Sequence, residues 1–375
     1  MKLLGATFSI RSLQYVFVIS SLCAILAVIL RPLVYTSKED NIYTTYLPPK
    51  KELTKAGTHR ENATLVVLCR NDDLEDVLSS MQSLEDRFNK RYHYPWLFLN
   101  EVPFTNAFKN ATGRMTDSKI EFVTLAPEEW ELPTSIDLTQ LAHTLRVMTE
   151  NQVIYGGSLS YRLMCRFNSG FFFRVPKLLQ YDYYWRVEPG IKFHCDLDYD
   201  PFTFMREHDK MYGFVIAIRE FPNTIPTLWH HTHEFFRKNP ELLARDNSLP
   251  FIEDYGMGLD GMYNLCHFWS NFEIANLNFF RSDAYMKYFN YLDSQKGFFY
   301  ERWGDAPVHS LAAALMLNKS QLHYFEDMGY FHPPWSHCPL DEESHTSGRC
   351  LCNRDRSFAN NPYSCFEQWH RNMQI

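Results

Sequence analysis

Two hydrophobic patterns alternate along the chain. The compact run in ATLVVLCRN (Ala63 to Asn71) is followed by a stretch where Leu74, Val77, Leu78, Met81, Leu84 and Phe88 recur three and four residues apart. The first has the length and β-branching of a buried strand, the second the spacing that lines one face of a helix. Asp72 and Asp73 stand where that helix starts, the end at which its dipole favours acids. YPWLFLNE then predicts a strand, PFTNAFKNATGRM a helix and IEFVTLAP a further strand. Such alternation specifies an α/β domain with a mixed, mostly parallel central sheet, in which ligands gather at the carboxyl ends of strands. The places to look are therefore Arg70 and Asn71, then Asn100 and Glu101, and the end of YYWRVEP, where Pro189 and Gly190 stop the strand just after Glu188.

Before this domain, residues 12–30, SLQYVFVISSLCAILAVIL, carry no charge and are bracketed by Arg11 and Arg31. They match the ~20 residues a helix needs to cross a bilayer. No short apolar core with a small-residue cleavage site is present, so the span reads as an uncleaved anchor. Lys2 and Arg11 precede it without an acid, whereas Lys38 is followed by Glu39 and Asp40. The positive-inside tendency then leaves residues 1–11 in the cytosol and the rest in a lumen. Residues 31–60, rich in Thr, Lys and Pro, predict a stem, and 61–375 a single catalytic-sized domain. Three sequons beyond the anchor, at Asn62, Asn110 and Asn318, agree with a luminal location.

Of nine cysteines, eight lie outside the anchor, an even set that an oxidising lumen can pair. Cys338, Cys350, Cys352 and Cys365 crowd the tail, and the single residue inside Cys350-Leu-Cys352 is too short a spacing for a zinc knuckle, favouring disulfides. The net charge of −7 offers no basic footprint for nucleic acid.

Several side chains carry possible chemistry, each with a plainer reading beside it. Glu188 at a strand mouth is a metal ligand or a structural acceptor. Asp196, Asp198 and Asp200 form a common Asp-x-Asp pattern in a stretch that reads as a turn. His230, His231, His233 and Glu234 suggest zinc, but they lack His-Glu-x-x-His spacing and lie opposite a helical apolar stripe. His332, among aromatics and prolines, is a ligand or a satisfied core histidine. Glu273 sits in an apolar aromatic run, where an unpaired charge is costly, so a pocket or an arginine must compensate it. Asp305, followed closely by Pro307, fits a helix cap.

Longer runs are more specific than any of these. RNDDLEDVLSSMQSLEDRFNKRYHYPWLFLNEVPF, YGGSLSYRLMCRFNSGFFF, YYWRVEPGIKFHCDLDYDPF, GMYNLCHFWSNFEIANLNFFRSDAY and GFFYERWGDAPVHSLAAALML resemble, in order, the fungal Golgi α-mannosyltransferases of glycosyltransferase family 15. The resemblance covers the chain from about residue 60 to its end. It implies a GT-A-like fold, a GDP-mannose donor, Mn²⁺, retention of the α configuration, an α-1,2 linkage, and a mannosylated glycoprotein acceptor carrying O- or N-linked glycans. It also implies a type II Golgi membrane protein.

The same resemblance assigns roles. Glu188 and His332 would hold the metal, and the Asp-Leu-Asp would not. Arg70, Asn71 and Glu188 would face the donor. Glu273 would be the nucleophile or ion-pair stabiliser, Tyr161 would lie near the reacting sugar, and Asp305 would be a further acidic site residue. Lys296 replaces an expected glycine, and Cys69 an expected apolar residue. Transfer of mannosylphosphate, and a non-catalytic luminal mannan-binding protein, remain as alternatives.

Overall fold

The structure is a computed structural model that describes residues 60–374 except 255–258, 260 and 348. The expected anchor at 12–30, the cytosolic tail before it and the stem up to residue 59 lie outside the described residues. Among those described, no helix is long and apolar enough to cross a membrane.

Seven strands make the main sheet: β1 (Ala63–Leu68), β2 (Trp96–Asn100), β3 (Ile120–Thr124), β4 (Tyr183–Arg186), β5 (Tyr212–Phe214), β6 (Glu273–Asn276) and β7 (Leu322–Tyr324). Their order is β7-β5-β6-β4-β1-β2-β3. Neighbours run parallel except β6, which is antiparallel to both β4 and β5. The expectation of a mixed, mostly parallel sheet is met, with the single reversal at β6, an interior strand.

Both faces of the sheet are covered, which is why β1 reads as an unbroken apolar run rather than an alternating one. Period-two geometry still divides its side chains. Leu65 and Val67 join Trp96, Phe98, Trp185 and Ile274 in one core, while Val66 joins Leu97, Leu99, Tyr184, Tyr212 and Ala275 in the other. Helix α1 (Leu74–Leu84) closes the first core with Val77, Met81 and Leu84. The second is closed by α2 (Leu159–Gly170) through Cys165 and Phe167, and by the long apolar helix Asp305–Met316 through Val308, Leu311 and Leu315. Each such fully buried aliphatic side chain contributes about 1.5–3 kcal/mol. We label the intervening helices α3 (Leu228–Lys238) and α4 (Asp283–Ser294), and Asp305–Met316 α5.

A small antiparallel ribbon joins Lys192–Phe193, Tyr330–His332 and Trp335–His337, with Tyr330 opposite Phe193. This pairing brings the late His332 segment beside the chain that leaves β4. Disulfides Cys195–Cys350, Cys266–Cys365 and Cys338–Cys352 tie the tail down. The even set of eight is not fully paired, however. Cys69, just past β1, and Cys165, on the sheet-facing side of α2, are thiols buried in separate cores, and burial pushes both well up. Asn62, Asn110 and Asn318 are all exposed. Lys296 adopts a left-handed backbone, φ 62°, at the position where glycine was expected, and its Nζ reaches the Ser135 carbonyl at 2.8 Å.

Candidate active site

The reversed strand builds the site. Because β6 runs against its neighbours, its first residue, Glu273, lies at the edge where β4 ends, directly opposite Arg186. Paired residues project to one face, and so do Tyr184 and Glu188, two positions either side of Arg186 if the extended chain continues. Arg186 is the hub. Its Nε donates to Glu188 Oε1 at 2.6 Å and its Nη1 to Asp305 Oδ2 at 2.5 Å. Burial disfavours the guanidinium, but Glu188, Asp305 and Glu273 outweigh burial and raise it, so it stays charged.

Asp305 also accepts the Ser270 hydroxyl at 2.7 Å. Burial alone would raise its carboxyl; Arg186 and then His309 reverse this and hold it below the usual range. The expectation of a helix cap needs correction. Gly304 occupies the cap position, and Asp305 is the first residue of α5 with its side chain turned to Arg186. A cap is worth about 1 kcal/mol, whereas a buried arginine without a counter-charge costs several, so the ion pair wins.

Glu273 has no exposed surface. Three donors compensate it: the Tyr212 hydroxyl at 2.5 Å and His309 Nδ1 at 2.7 Å on Oε1, and the Tyr184 hydroxyl on Oε2. A narrow recess is bounded by Glu273, Arg186, Tyr184, Asn168, Phe172 and three aliphatic side chains of β1 and β2.

His332 Nδ1 lies 2.9 Å from the Pro333 carbonyl, which can only accept. The proton is therefore on Nδ1, and the Nε2 lone pair is left for another partner. Burial lowers its pKa against the opposing influence of Glu188, which keeps the ring neutral. Glu188 gives Oε1 to Arg186 and keeps Oε2. A neutral imidazole beside a carboxylate is a donor set that fits Mn²⁺.

Tyr161, in the first turn of α2, is stacked on Tyr155 at 4.4 Å and has the Arg302 guanidinium 5.2 Å from its ring centre. Burial, and then Cys165, push its phenol well up. Arg302 is paired in turn with Glu220 at 3.3 Å. Arg70 and Asn71 lie at the end of β1. Arg70 Nε pairs with Glu101 at 3.2 Å, while Asn71 donates to the Pro103 carbonyl and accepts from the Thr105 amide, bracing the segment after β2.

A profile of the family described as glycolipid 2-alpha-mannosyltransferase matches residues 31–374. The chain belongs to this family. It is 58% identical over 312 residues to O-glycoside alpha-1,2-mannosyltransferase homolog 3 of Schizosaccharomyces pombe, covering 83% of this chain and 82% of that protein. It is 49% identical over 325 residues to alpha-1,2 mannosyltransferase KTR1 of Saccharomyces cerevisiae, covering 87% and 82%. Among solved structures, mannosyltransferase Ktr4p of S. cerevisiae in complex with GDP superposes with a TM-score of 0.83 at 37% identity, covering 91% of each chain. The Mn/GDP form of core-mannan synthase A from Aspergillus fumigatus does so with 0.81 at 38% identity, covering 88% and 93%.

In this family member the conspicuous acids stay apart. Asp196 pairs with Arg87 at 2.5 Å and Asp198 with Arg349 at 3.5 Å, while Asp200 caps the helix Pro201–Glu207 through the Phe202 amide and accepts the Tyr94 hydroxyl. On α3, the ligand atoms of His230, His231 and Glu234 lie within 4.8 Å of one another, but both Glu234 oxygens are taken, by Lys238 and Tyr291. Sequence reasoning passed over Arg186, Tyr184, Tyr212, His309, Arg302 and Glu220. Spacing offered a signal for two: Arg186 is two residues before Glu188 on a strand, and His309 is four after Asp305 on a helix.

Proposed function

We propose that this chain is a retaining mannosyltransferase that moves α-mannose from GDP-mannose to a mannose hydroxyl, forming an α-1,2 linkage on O- or N-linked glycans of secretory proteins. The observation that carries the reading is the convergence of Glu188, Asp305 and Glu273 on Arg186, at the carboxyl edge of a sheet shared with a GDP-bound mannosyltransferase.

Glu188 through Oε2 and His332 through Nε2 would hold Mn²⁺. When bound, the ion neutralises charge on the departing diphosphate. Arg186 orients Glu188 and supplies a fixed positive charge beside it. Glu273 presents a negative charge to a mannosyl centre that gains oxocarbenium character as GDP leaves. Oε1 of Glu273 is engaged by two donors, Tyr212 and His309, whereas Oε2 accepts only from Tyr184 and keeps a lone pair for the sugar. Asp305 acts on the site through its ion pair with Arg186, and Tyr161 would lie near the reacting sugar.

The proposal extends to location. Residues 12–30 anchor the protein in the Golgi membrane with the catalytic domain in the lumen. Three disulfides and the exposed asparagines of three sequons support that reading.

The test is transfer of radiolabelled mannose from GDP-mannose to methyl α-mannoside or mannobiose, with and without EDTA. Transfer that EDTA abolishes and Mn²⁺ restores is expected. No transfer overturns the reading, and a phosphate in the product replaces it with mannosylphosphate transfer.

A further inference from the structure

We infer that His309 is a positioning residue for this reaction: an imidazolium that fixes both the orientation and the negative charge of Glu273. The inference rests on the role proposed above for Glu273.

The geometry is one of proton counting. His309 lies one turn into α5 with no exposed surface, and both ring nitrogens are engaged. Nε2 is 3.0 Å from the Asn168 carbonyl oxygen, which can only accept, so Nε2 carries a hydrogen. Nδ1 is 2.7 Å from Glu273 Oε1, and one further proton lies between them. On Nδ1 it makes an imidazolium and a carboxylate; on Oε1 it leaves both groups neutral.

The two tyrosines decide between these states. Burial, followed by the charge of Glu273, pushes the Tyr184 and Tyr212 phenols well up, so both keep their protons and donate. Tyr212 donates to the same Oε1 that faces His309, and Tyr184 to Oε2. A carboxylate satisfies all three donors. A carboxylic acid would have to donate from Oε1 while accepting from Tyr212 at that same atom, where its lone pairs are poorest. The carboxylate with an imidazolium is the better-satisfied state.

The charged and polar groups around His309 are consistent with this. Glu273 faces it from β6, with Tyr184 of β4 and Tyr212 of β5 bonded to the same carboxylate; Arg186 acts on it from β4, the Asn168 carbonyl faces it from α2, and Tyr285 from α4 at 6.2 Å between rings; Asp305 precedes it on its own helix. Phe172 and Phe280 wall off the remaining sides at 6.3 and 4.7 Å between ring centres. Arg186 opposes the imidazolium, and Asp305 and Glu273 favour it. Burial by itself would lower the His309 pKa; Glu273 and Asp305 outweigh it and raise it. The pair's contribution to stability is accordingly complete below the unfolded value of about 6.5 and is lost as pH rises through the higher folded value.

A histidine serving only to fasten α5 to α2 would look similar in a static structure, so the test separates the two roles. His309→Asn keeps an amide donor near the Nδ1 position without the charge. It is compared with Glu273→Gln and with the double variant, using kcat and KM for GDP-mannose across pH, with thermal melts to confirm folding. We expect His309→Asn to lower kcat by about tenfold or more while KM changes little, and to abolish an alkaline fall in kcat present in the parent enzyme. In the Glu273→Gln background the substitution should add almost nothing, because two residues acting as one unit are not additive. Parent-like kcat in His309→Asn, or a loss that multiplies with that of Glu273→Gln, overturns the inference. Parent-like kcat in Glu273→Gln instead overturns the role of Glu273 itself.

Because a core variant can fail to fold, the parent protein supplies a second readout. Histidine-selective ¹⁵N spectra near pH 6 should show a buried ring with both nitrogens protonated. A buried ring at His309 with one bare nitrogen overturns the inference whatever the variants do.

Discussion

Two sets of acids invite comparison. Asp196, Asp198 and Asp200 are neighbours in sequence, yet each has its own partner: Arg87, Arg349, and a helix N-terminus with Tyr94. Glu188, Glu273 and Asp305 come from three distant segments and converge on one arginine. Asp196 and Asp198 lie at the surface with an arginine each, and Asp200 is buried against a helix N-terminus, so nothing forces the three together. Carboxylates set at the edge of a sheet are brought together by strand register, whatever their separation along the chain.

The comparison is broken most severely if the second set proves dispensable. Glu273→Gln keeps the volume of the side chain but removes its charge. We expect kcat to fall on the order of 10²–10³, with a small change in donor KM and a folded protein by circular dichroism. Near-parental kcat, or a defect confined to donor KM, would make Glu273 a structural acid and leave Asp305 or Tyr161 as the better candidates.

Glu188→Gln and His332→Ala should each weaken Mn²⁺-linked GDP binding by about tenfold or more, read by calorimetry with and without the ion. Unchanged affinity in both variants would return attention to Asp196 and Asp198. The smallest effects belong to the first set. Asp200→Ala removes a cap and leaves the buried Tyr94 O–H without its acceptor, which should cost about 1–3 kcal/mol of stability with kcat of the folded enzyme unchanged. Asp198→Asn, at a half-exposed position with a long 3.5 Å contact, should stay within about 0.5 kcal/mol. Either substitution lowering kcat tenfold would blur the distinction between the two sets.

Much of the fold was legible because its signals are local. The apolar run at Ala63–Leu68, the helical stripe from Leu74 and the short strand ending at Arg186 need only neighbouring residues to be recognised. The reversal of β6 was not legible, since strand direction depends on partners far along the chain. Arg186 was overlooked for the same reason: in sequence it is one charge in an aromatic strand, and only register sets it against Glu273. Asp305 misled in a different way. A first-turn acid before a proline carries the signs of a cap, and the arginine that draws its side chain away is 119 residues distant. The cysteines gave their even number but not that Cys69 and Cys165 face opposite cores, beyond each other's reach.

The interior position of β6 has a consequence in time. Its two neighbours, β4 and β5, are both made earlier, yet they cannot join through the sheet until Asn276 has left the ribosome. From the end of β4 that interval is roughly ninety residues, about 5–18 s at usual rates of synthesis. Throughout it the nascent chain carries the half-sheet β4-β1-β2-β3 with β4 as an open edge and a β5 strand without a sheet partner, and Tyr184, Trp185 and Tyr212 lack their final cover. When β6 slots in, it covers the edge of β4, joins β5 to the sheet and delivers Glu273 to Arg186 in the same event, while β7, Asp305 and His332, made later, complete the sheet and the site.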